Sequence, residues 1–116
     1  MSALTIKLTG DNTTTIAEAA HALRQSLDGA CVCEIWHDCG DTTTALLSYE
    51  RYFRGTQMYI GLTIMLTETP GTQYADIVGF GGAAGLLGIS WSSHAKYADN
   101  VVNILQAHGF RETARE

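Results

Sequence analysis

Thiol and imidazole side chains, the ligands that zinc prefers, are concentrated in one short part of the chain. Cys31, Cys33, His37 and Cys39 lie there among residues that favour extended backbone. Along a strand that rises about 3.3 Å per residue, Cys31 and His37 are roughly 20 Å apart, so the four groups converge on one ion only if the strand bends sharply. They are weak metal-ligand candidates, and we predict reduced, buried thiols, with no metal and no cofactor.

A second chemical candidate is the glycine-rich segment from Gly79 to Gly88. So many glycines carry a cost in backbone entropy that an ordinary loop does not require. They can allow close approach of another strand or subunit, which is the favoured interpretation. They can instead form a nest of N–H groups that leads to a helix N-terminus and binds a phosphate or carboxylate. The ligand-binding candidates in that case are Arg54, Gly81, Gly82, Gly85, Ser90, Trp91 and Ser92.

Known nucleotide motifs do not fit the glycine-rich segment. Gly79, Gly81 and Ala84 have the spacing of a dinucleotide fingerprint, but the next helix begins several residues late and no strand–helix–strand unit surrounds them. The Gly-Lys-Ser/Thr ending of a P-loop is absent from the sequence.

No arrangement of residues indicates catalysis. His21, His37, His94 and His108 have no spacing that links them to a nucleophile, so surface or capping roles are predicted for them. No catalytic residue is assigned, and enzymatic activity remains only as an alternative.

Two neighbouring charges, Glu50 and Arg51, lie on a predicted strand and therefore point to opposite faces. One of them must face the helices or a cavity, where Arg51 or Arg54 could hold an anion. The favoured alternative is a charge on an edge strand that discourages aggregation.

Hydrophobic periodicity predicts the elements that position these residues. A capping box, Thr15 to Glu18, begins a first helix that Gly29 ends in a left-handed conformation, and Ser92 or Ser93 caps a second helix that Gly109 closes. The predicted strands are Leu4–Leu8, Cys31–His37, Thr44–Phe53, Met58–Leu66 and Tyr74–Phe80.

This order, β-α-β-β-β-β-α, predicts an α+β fold in one domain that spans residues 1–116. We expect a two-layer sandwich, with two helices on one face of an antiparallel sheet of about five strands. The alternating residues from Met58 to Leu66 should face the helices, and the tail 111–116 should fray.

Composition limits the partners. The chain has 116 residues, 46% of them hydrophobic and only 16% charged, with a net charge of −5. The acidic balance argues against charge-driven binding of nucleic acid or membrane. The low charge leaves room for an interface between copies. With no export signal at the N-terminus, a cytoplasmic location is expected.

Two segments resemble the signature of a family of small, uncharacterised bacterial proteins that is catalogued as a domain of unknown function. Leu47–Arg54 is similar to its Glu-Lys/Arg-Tyr-Tyr/Phe-x-Arg strand, and Gly79–Trp91 is similar to its glycine-rich stretch that ends in Trp. The resemblance supports the predicted fold and implies no activity.

Two functional hypotheses follow. The first is a non-enzymatic oligomerisation or interaction domain, with a homodimer favoured, that self-associates through an exposed sheet face or the glycine-rich edge. The alternative is a protein, or a minor enzyme, that binds a small anionic ligand at the glycine-rich segment and the start of the last helix.

Overall fold

The computed structural model describes residues 4–54, 57–81 and 89–116, of which 89–93 are described by their backbone alone. It confirms the α+β class and the two helices. The elements in chain order are β1 (Leu4–Gly10), α1 (Ile16–Ser26), β2 (Ala30–Cys39), β3 (Thr42–Phe53), β4 (Met58–Thr69), β5 (Thr72–Gly81), α2 (Ile89–Gln106) and β6 (Phe110–Arg115).

The strands in the described residues form one antiparallel sheet in the spatial order β2-β3-β4-β5-β1-β6. Strands β2 to β5 are consecutive neighbours, as expected of a meander with short turns. Gly40 and Gly71 occupy two of these turns with φ angles of 65° and 80°, which glycine adopts without a steric penalty. The β1 strand lies between β5 and β6 and connects the meander to the chain end.

The core lies between one face of the sheet and the two helices. Ile60, Leu62, Ile64 and Leu66 of β4 are fully buried, which confirms the predicted alternation. The helices complete the core with the apolar residues Ile16, Leu23, Tyr97, Val101 and Leu105.

The predicted capping box begins α1. The Glu18 N–H donates to the Thr15 hydroxyl at 3.1 Å, and the Thr15 N–H donates to the Glu18 carboxylate at 2.9 Å. The Thr15 N–H, together with the Thr15 hydroxyl that donates to the same oxygen at 3.2 Å, lowers the pKa of the Glu18 carboxyl, because both bonds stabilise its charged form. The helix ends earlier than expected, at Ser26, and Gly29 follows two residues after the Leu27 cap with φ at 111°.

The chain end corrects the predicted sheet of about five strands and its element order. Phe110–Arg115, expected to lie mostly in a frayed tail, pairs with β1 as a sixth strand. Phe110 is buried, and Arg115 forms ion pairs with Asp99 at 2.7 Å and Glu112 at 2.8 Å. These contacts hold the strand against β1 and α2.

The start of α2 also differs from the prediction. The helix begins at Ile89, so Ser92 and Ser93 lie inside it and do not cap it. Gly109 has φ at 86° and ends the turn that follows the helix, as its position in the sequence indicated.

Candidate functional site

The face of the sheet that points away from the helices forms a broad surface, which we call the open face. It consists of the odd-numbered residues of β1 (5–9), β2 (33–37) and β4 (59–67) and the even-numbered residues of β3 (44–52) and β5 (74–80). The pairing register of the strands places these residues in rows that cross the sheet, because residues directly opposite each other in paired strands point to the same face. One such row runs from Ile35 through Leu46 and Met65 to Asp76 and Lys7.

Large apolar side chains are exposed on the open face. The six that stand out have exposed fractions between 38% and 59%, although each belongs to a residue type that is usually packed. They are Ile35, Tyr52, Tyr59, Met65, Tyr74 and Phe80. Large apolar side chains exposed together on one face of a sheet are typical of an interaction site.

The aromatic residues of the open face are held by their neighbours. The rings of Tyr52 and Tyr59 pack with their centres 5.1 Å apart. Phe80 lies over Gly61, where a Cβ would come within 2.6 Å of the Phe80 ring. Aromatic groups held in this way lose little conformational entropy when a partner covers them.

Charge is scarce on the open face. Lys7, Glu50 and Asp76 are its only Lys, Arg, Asp or Glu residues. The hydroxyl groups of Ser48 and Thr63 form a hydrogen bond with each other at 3.2 Å. A partner that covers this surface therefore desolvates few charges, and the one beside Met65 is Asp76, which lies opposite Lys7.

The segment with the candidate metal ligands contradicts the predicted burial of its thiols. Cys31, Cys33 and Cys39 are all exposed free cysteines on β2, which lies at one end of the sheet. The prediction rested on residue type, whereas exposure follows from the position of the strand in the sheet. His37 is exposed as well, and the described residues contain no group of three His, Cys, Asp or Glu side chains that could hold a metal ion.

The adjacent charges Glu50 and Arg51 lie on opposite faces, as their spacing required. Glu50 is exposed on the open face, and Arg51 turns to the helix side. There the Arg51 guanidinium lies 4.7 Å from the centre of the Phe53 ring and 4.0 Å from the Asp28 carboxylate. Arg51 is therefore engaged by residues of its own chain, and its contacts connect β3 to the segment that follows α1.

Two buried tyrosines near Arg51 have hydroxyl groups whose pKa values are raised. Burial raises the pKa of Tyr97 to about 12, and Arg51 opposes that rise. Burial also raises the pKa of Tyr49 to about 12, and the neighbouring Cys31 thiol adds to the effect. The Tyr97 hydroxyl donates to the Asp28 carbonyl at 2.7 Å, so it has a structural partner.

His94 contradicts the prediction of a surface or capping role. Its side chain is only 2% exposed, and its Nε2 lies 3.1 Å from the Gly81 carbonyl oxygen. Its Nδ1 has no hydrogen-bond partner in the part of the chain that the structure describes. His94 lies three residues before the buried Tyr97 and four before Ala98, so it extends their helical stripe. This periodicity could have revealed its burial.

The candidate ligand-binding residues are only partly placed. Arg54 is exposed just after β3, and Gly81 ends β5 with φ at 105°. Ser90, Trp91 and Ser92 belong to the first turns of α2 by their backbone. Gly82 and Gly85 lie outside the described residues, so the geometry of the predicted anion nest is not defined.

A shallow polar depression lies between the end of α1 and the middle of α2. It has a volume of about 270 Å³ and is lined by Ser26, Asp28, Asn100, Asn103 and Ile104. Within this lining Asp28 is the only ionisable group, and it is largely exposed. The depression can accommodate a small polar solute but contains no reactive pair of side chains.

Among the described residues, no helix has both the length and the apolar character needed to cross a membrane.

The model of a family described as "Family of unknown function (DUF6054)" matches residues 1–109. No curated protein and no solved structure matches the chain.

Proposed function

Because the chain belongs to the DUF6054 family of unknown function, we propose from its own geometry that it is a self-association domain in which the open faces of two copies pack together. The observation that carries this proposal is the exposure of six large apolar side chains on a face with little charge. Only 16% of the residues are charged, which agrees with this proposal. We assign no catalytic step.

The size of the open face matches that of a stable interface. Five strand spacings of about 4.8 Å and a strand length of roughly 30 Å give a plan area on the order of 700 Å². Each partner in a typical stable protein complex contributes about 800 Å², and side-chain relief adds to the plan area. Two sheets that pack face to face bury side chains from both inner faces in a layer about 10 Å thick. The open face therefore suits a second copy of the same sheet.

The direct test introduces two negative charges into the centre of this surface. We expect the parent protein to associate through the open face and the double variant Met65→Glu/Tyr74→Glu to lose this contact, which lowers its mass in size-exclusion chromatography with light scattering. Charging a central interface residue costs roughly 2 kcal/mol or more, so two such changes weaken association by about a thousandfold.

A matched control carries the same two charges on the helical side. Ala17 and Gln25 are exposed on α1, and Ala17→Glu/Gln25→Glu should retain the parent mass. Circular dichroism must show that both variants are folded. A parent protein that is monomeric at every concentration, or a control that dissociates as readily as the open-face variant, would contradict the proposal.

A second candidate function is the binding of a small anionic ligand by the glycine-rich segment. It is favoured by His94, whose buried imidazole contacts Gly81 at the start of that segment and keeps one nitrogen without a partner among the described residues. Because the Gly81 carbonyl can only accept, Nε2 carries the proton of the neutral ring, and Nδ1 is an acceptor that can receive a hydrogen bond from a protonated phosphate oxygen.

Inorganic phosphate and pyrophosphate are suitable probes for this second candidate. If it is correct, the thermal midpoint of the parent should rise with the concentration of one of them, since a ligand at a hundred times its dissociation constant stabilises the fold by about 2.7 kcal/mol. The rise should be smaller in His94→Gln and persist in Lys96→Gln, where an exposed cation of α2 is lost. An unchanged midpoint with both probes argues against the site.

A further inference from the structure

The β2 strand is exposed over its whole length. It forms one end of the sheet, so its outer edge has no neighbouring strand among the described residues. All ten of its residues are exposed, including those on the side of the helices. Such an edge presents a row of unpaired N–H and C=O groups to which another strand can pair.

The composition of β2 is that of a covered strand. Seven of its ten residues are Ala, Cys, Val, Ile or Trp, and the sequence Ala-Cys-Val-Cys-Glu-Ile-Trp-His-Asp-Cys contains no Lys, Arg or Pro. Lysine and proline are the residues with which edge strands usually prevent pairing. The features that can hinder pairing here are a register shift between Cys31 and Cys33 and the charges of Glu34 and Asp38. Cysteine is also among the most frequently buried residue types, and here all three are exposed.

We propose that a second copy of the chain covers this edge by antiparallel pairing of the two β2 strands, which creates a continuous sheet across both copies. A two-fold axis perpendicular to the sheet relates the copies and keeps both helical layers on the same side. Such an interface is isologous, because the same strand serves both partners. It is separate from the open face and does not depend on the face-to-face contact.

Charge selects the register of this pairing. The two-fold axis requires opposed residues to lie on the same face, so the two registers with the longest overlap are centred on Glu34 or on Ile35. Centring on Glu34 places two carboxylates directly opposite each other, which is destabilising. Centring on Ile35 opposes Ile35 to itself and Glu34 to Trp36 of the second copy.

The favoured register repeats a contact that already exists within one chain. The Trp36 indole N–H donates to the Glu34 carboxylate at 2.7 Å, and Arg24 forms an ion pair with the same carboxylate at 2.9 Å. Trp36 and Glu34 therefore present compatible groups on the helix side of the seam. Because this ion pair is partly exposed to solvent, it offsets the charge of Glu34 only in part, and two opposed Glu34 carboxylates would still repel each other. A second copy is thus a chemically complementary occupant of this edge.

Disulfide trapping tests both the interface and its register. In a background with all three native cysteines changed to Ser, Glu34→Cys is introduced in one preparation and Trp36→Cys in another. Residues directly opposed across an antiparallel pair have Cβ atoms about 4.5–5.5 Å apart, and a disulfide requires about 3.5–4.5 Å, so a shift of about 1 Å or less lets the two thiols bond. Dioxygen with a copper catalyst removes one electron and one proton from each thiol, forms the S–S bond and is itself reduced.

The expected result is a covalent dimer in the mixture, at least about five times more abundant than in either preparation alone. Trp36→Cys mixed with Thr113→Cys, a position on the opposite edge strand β6, controls for random collision. Equal cross-linking in all mixtures, or none in the Glu34/Trp36 mixture, overturns the proposal.

The same trapping in the Met65→Glu/Tyr74→Glu background separates the two interfaces. Both changed residues lie on the open face, whereas residues 34 and 36 lie on the helix side of β2. Cross-linking that persists while the mass falls in the absence of oxidant supports both contacts. If cross-linking persists but the open-face changes leave the mass unaltered, only the edge contact is supported. If the Glu34/Trp36 mixture gives no cross-link although the open-face changes lower the mass, only the face-to-face contact is supported and the edge proposal is rejected.

Discussion

Replacing Gly29 with alanine should lower the free energy of unfolding by about 3 kcal/mol or more. The residue has φ at 111°, where a side chain costs of order 1–3 kcal/mol. An added Cβ would lie 2.7 Å from the Glu50 carbonyl oxygen and would collide with the Tyr97 hydroxyl. That hydroxyl donates to the Asp28 carbonyl, and disturbing this bond adds about 1 kcal/mol. Urea unfolding monitored by circular dichroism measures the loss.

A matched substitution separates the collision from the backbone conformation. Gly40 also has a positive φ, 65°, but a Cβ at this turn meets no atom within 4 Å. Gly40→Ala should therefore cost only about 1–2 kcal/mol, the penalty of the left-handed conformation itself. If the two variants prove equally stable, close packing around Gly29 does not determine the junction of α1, β3 and α2.

Much of this fold could be predicted from the sequence because its signals are local. The alternation from Met58 to Leu66 places one side of β4 in the core, and the Thr15 to Glu18 spacing marks the start of α1. Both depend on neighbours within a few residues. The β6 strand carried no comparable signal, because Phe110–Arg115 is short and is stabilised by pairing with β1, about a hundred residues away.

The exposure of the cysteines shows where local reasoning fails. Cys31, Cys33 and Cys39 are on a strand that the sequence predicts correctly, but their burial depends on whether β2 lies inside the sheet or at its end. The order of strands in the sheet depends on pairing between residues that are far apart in the sequence, and it cannot be predicted from the type of a residue. Self-association through an exposed sheet face was predicted in general terms and stays a prediction, whereas the residues that form the open face were not predicted.

The composition of the open face depended on register. Period-two alternation predicts that Tyr59 and Met65 point away from the helices once Ile60 and Ile64 are assigned to the core. It does not predict that Tyr52 packs beside Tyr59 or that Phe80 covers Gly61. Those neighbours follow from the way the turns align adjacent strands, since a slip of one residue turns every side chain to the other face.

Raising the pH from 10 to 12 should destabilise the folded protein through Tyr49 and Tyr97. Burial raises the pKa of each hydroxyl to about 12, against about 10 in an unfolded chain. Above pH 10 the unfolded chain loses these protons first, so it binds fewer protons than the folded protein and unfolding becomes more favourable. The contribution is fully present below pH 10 and is lost as the pH approaches 12. Each hydroxyl contributes about 2 kcal/mol between pH 10 and 12, so we expect a total loss of about 4 kcal/mol.

Phenylalanine substitutions isolate this effect from the other groups that titrate in strong alkali. The double variant Tyr49→Phe/Tyr97→Phe removes both hydroxyls, so its free energy of unfolding should fall less between pH 10 and 12 than that of the parent. Its stability at neutral pH also changes, because Tyr97 loses its bond to Asp28. The slope against pH, obtained from urea unfolding at each pH, is therefore the decisive quantity. Tyr59→Phe, which removes a hydroxyl from a residue that is 59% exposed, should keep the parent slope. An unaltered slope in the double variant would exclude these two buried phenols as the cause of alkaline unfolding.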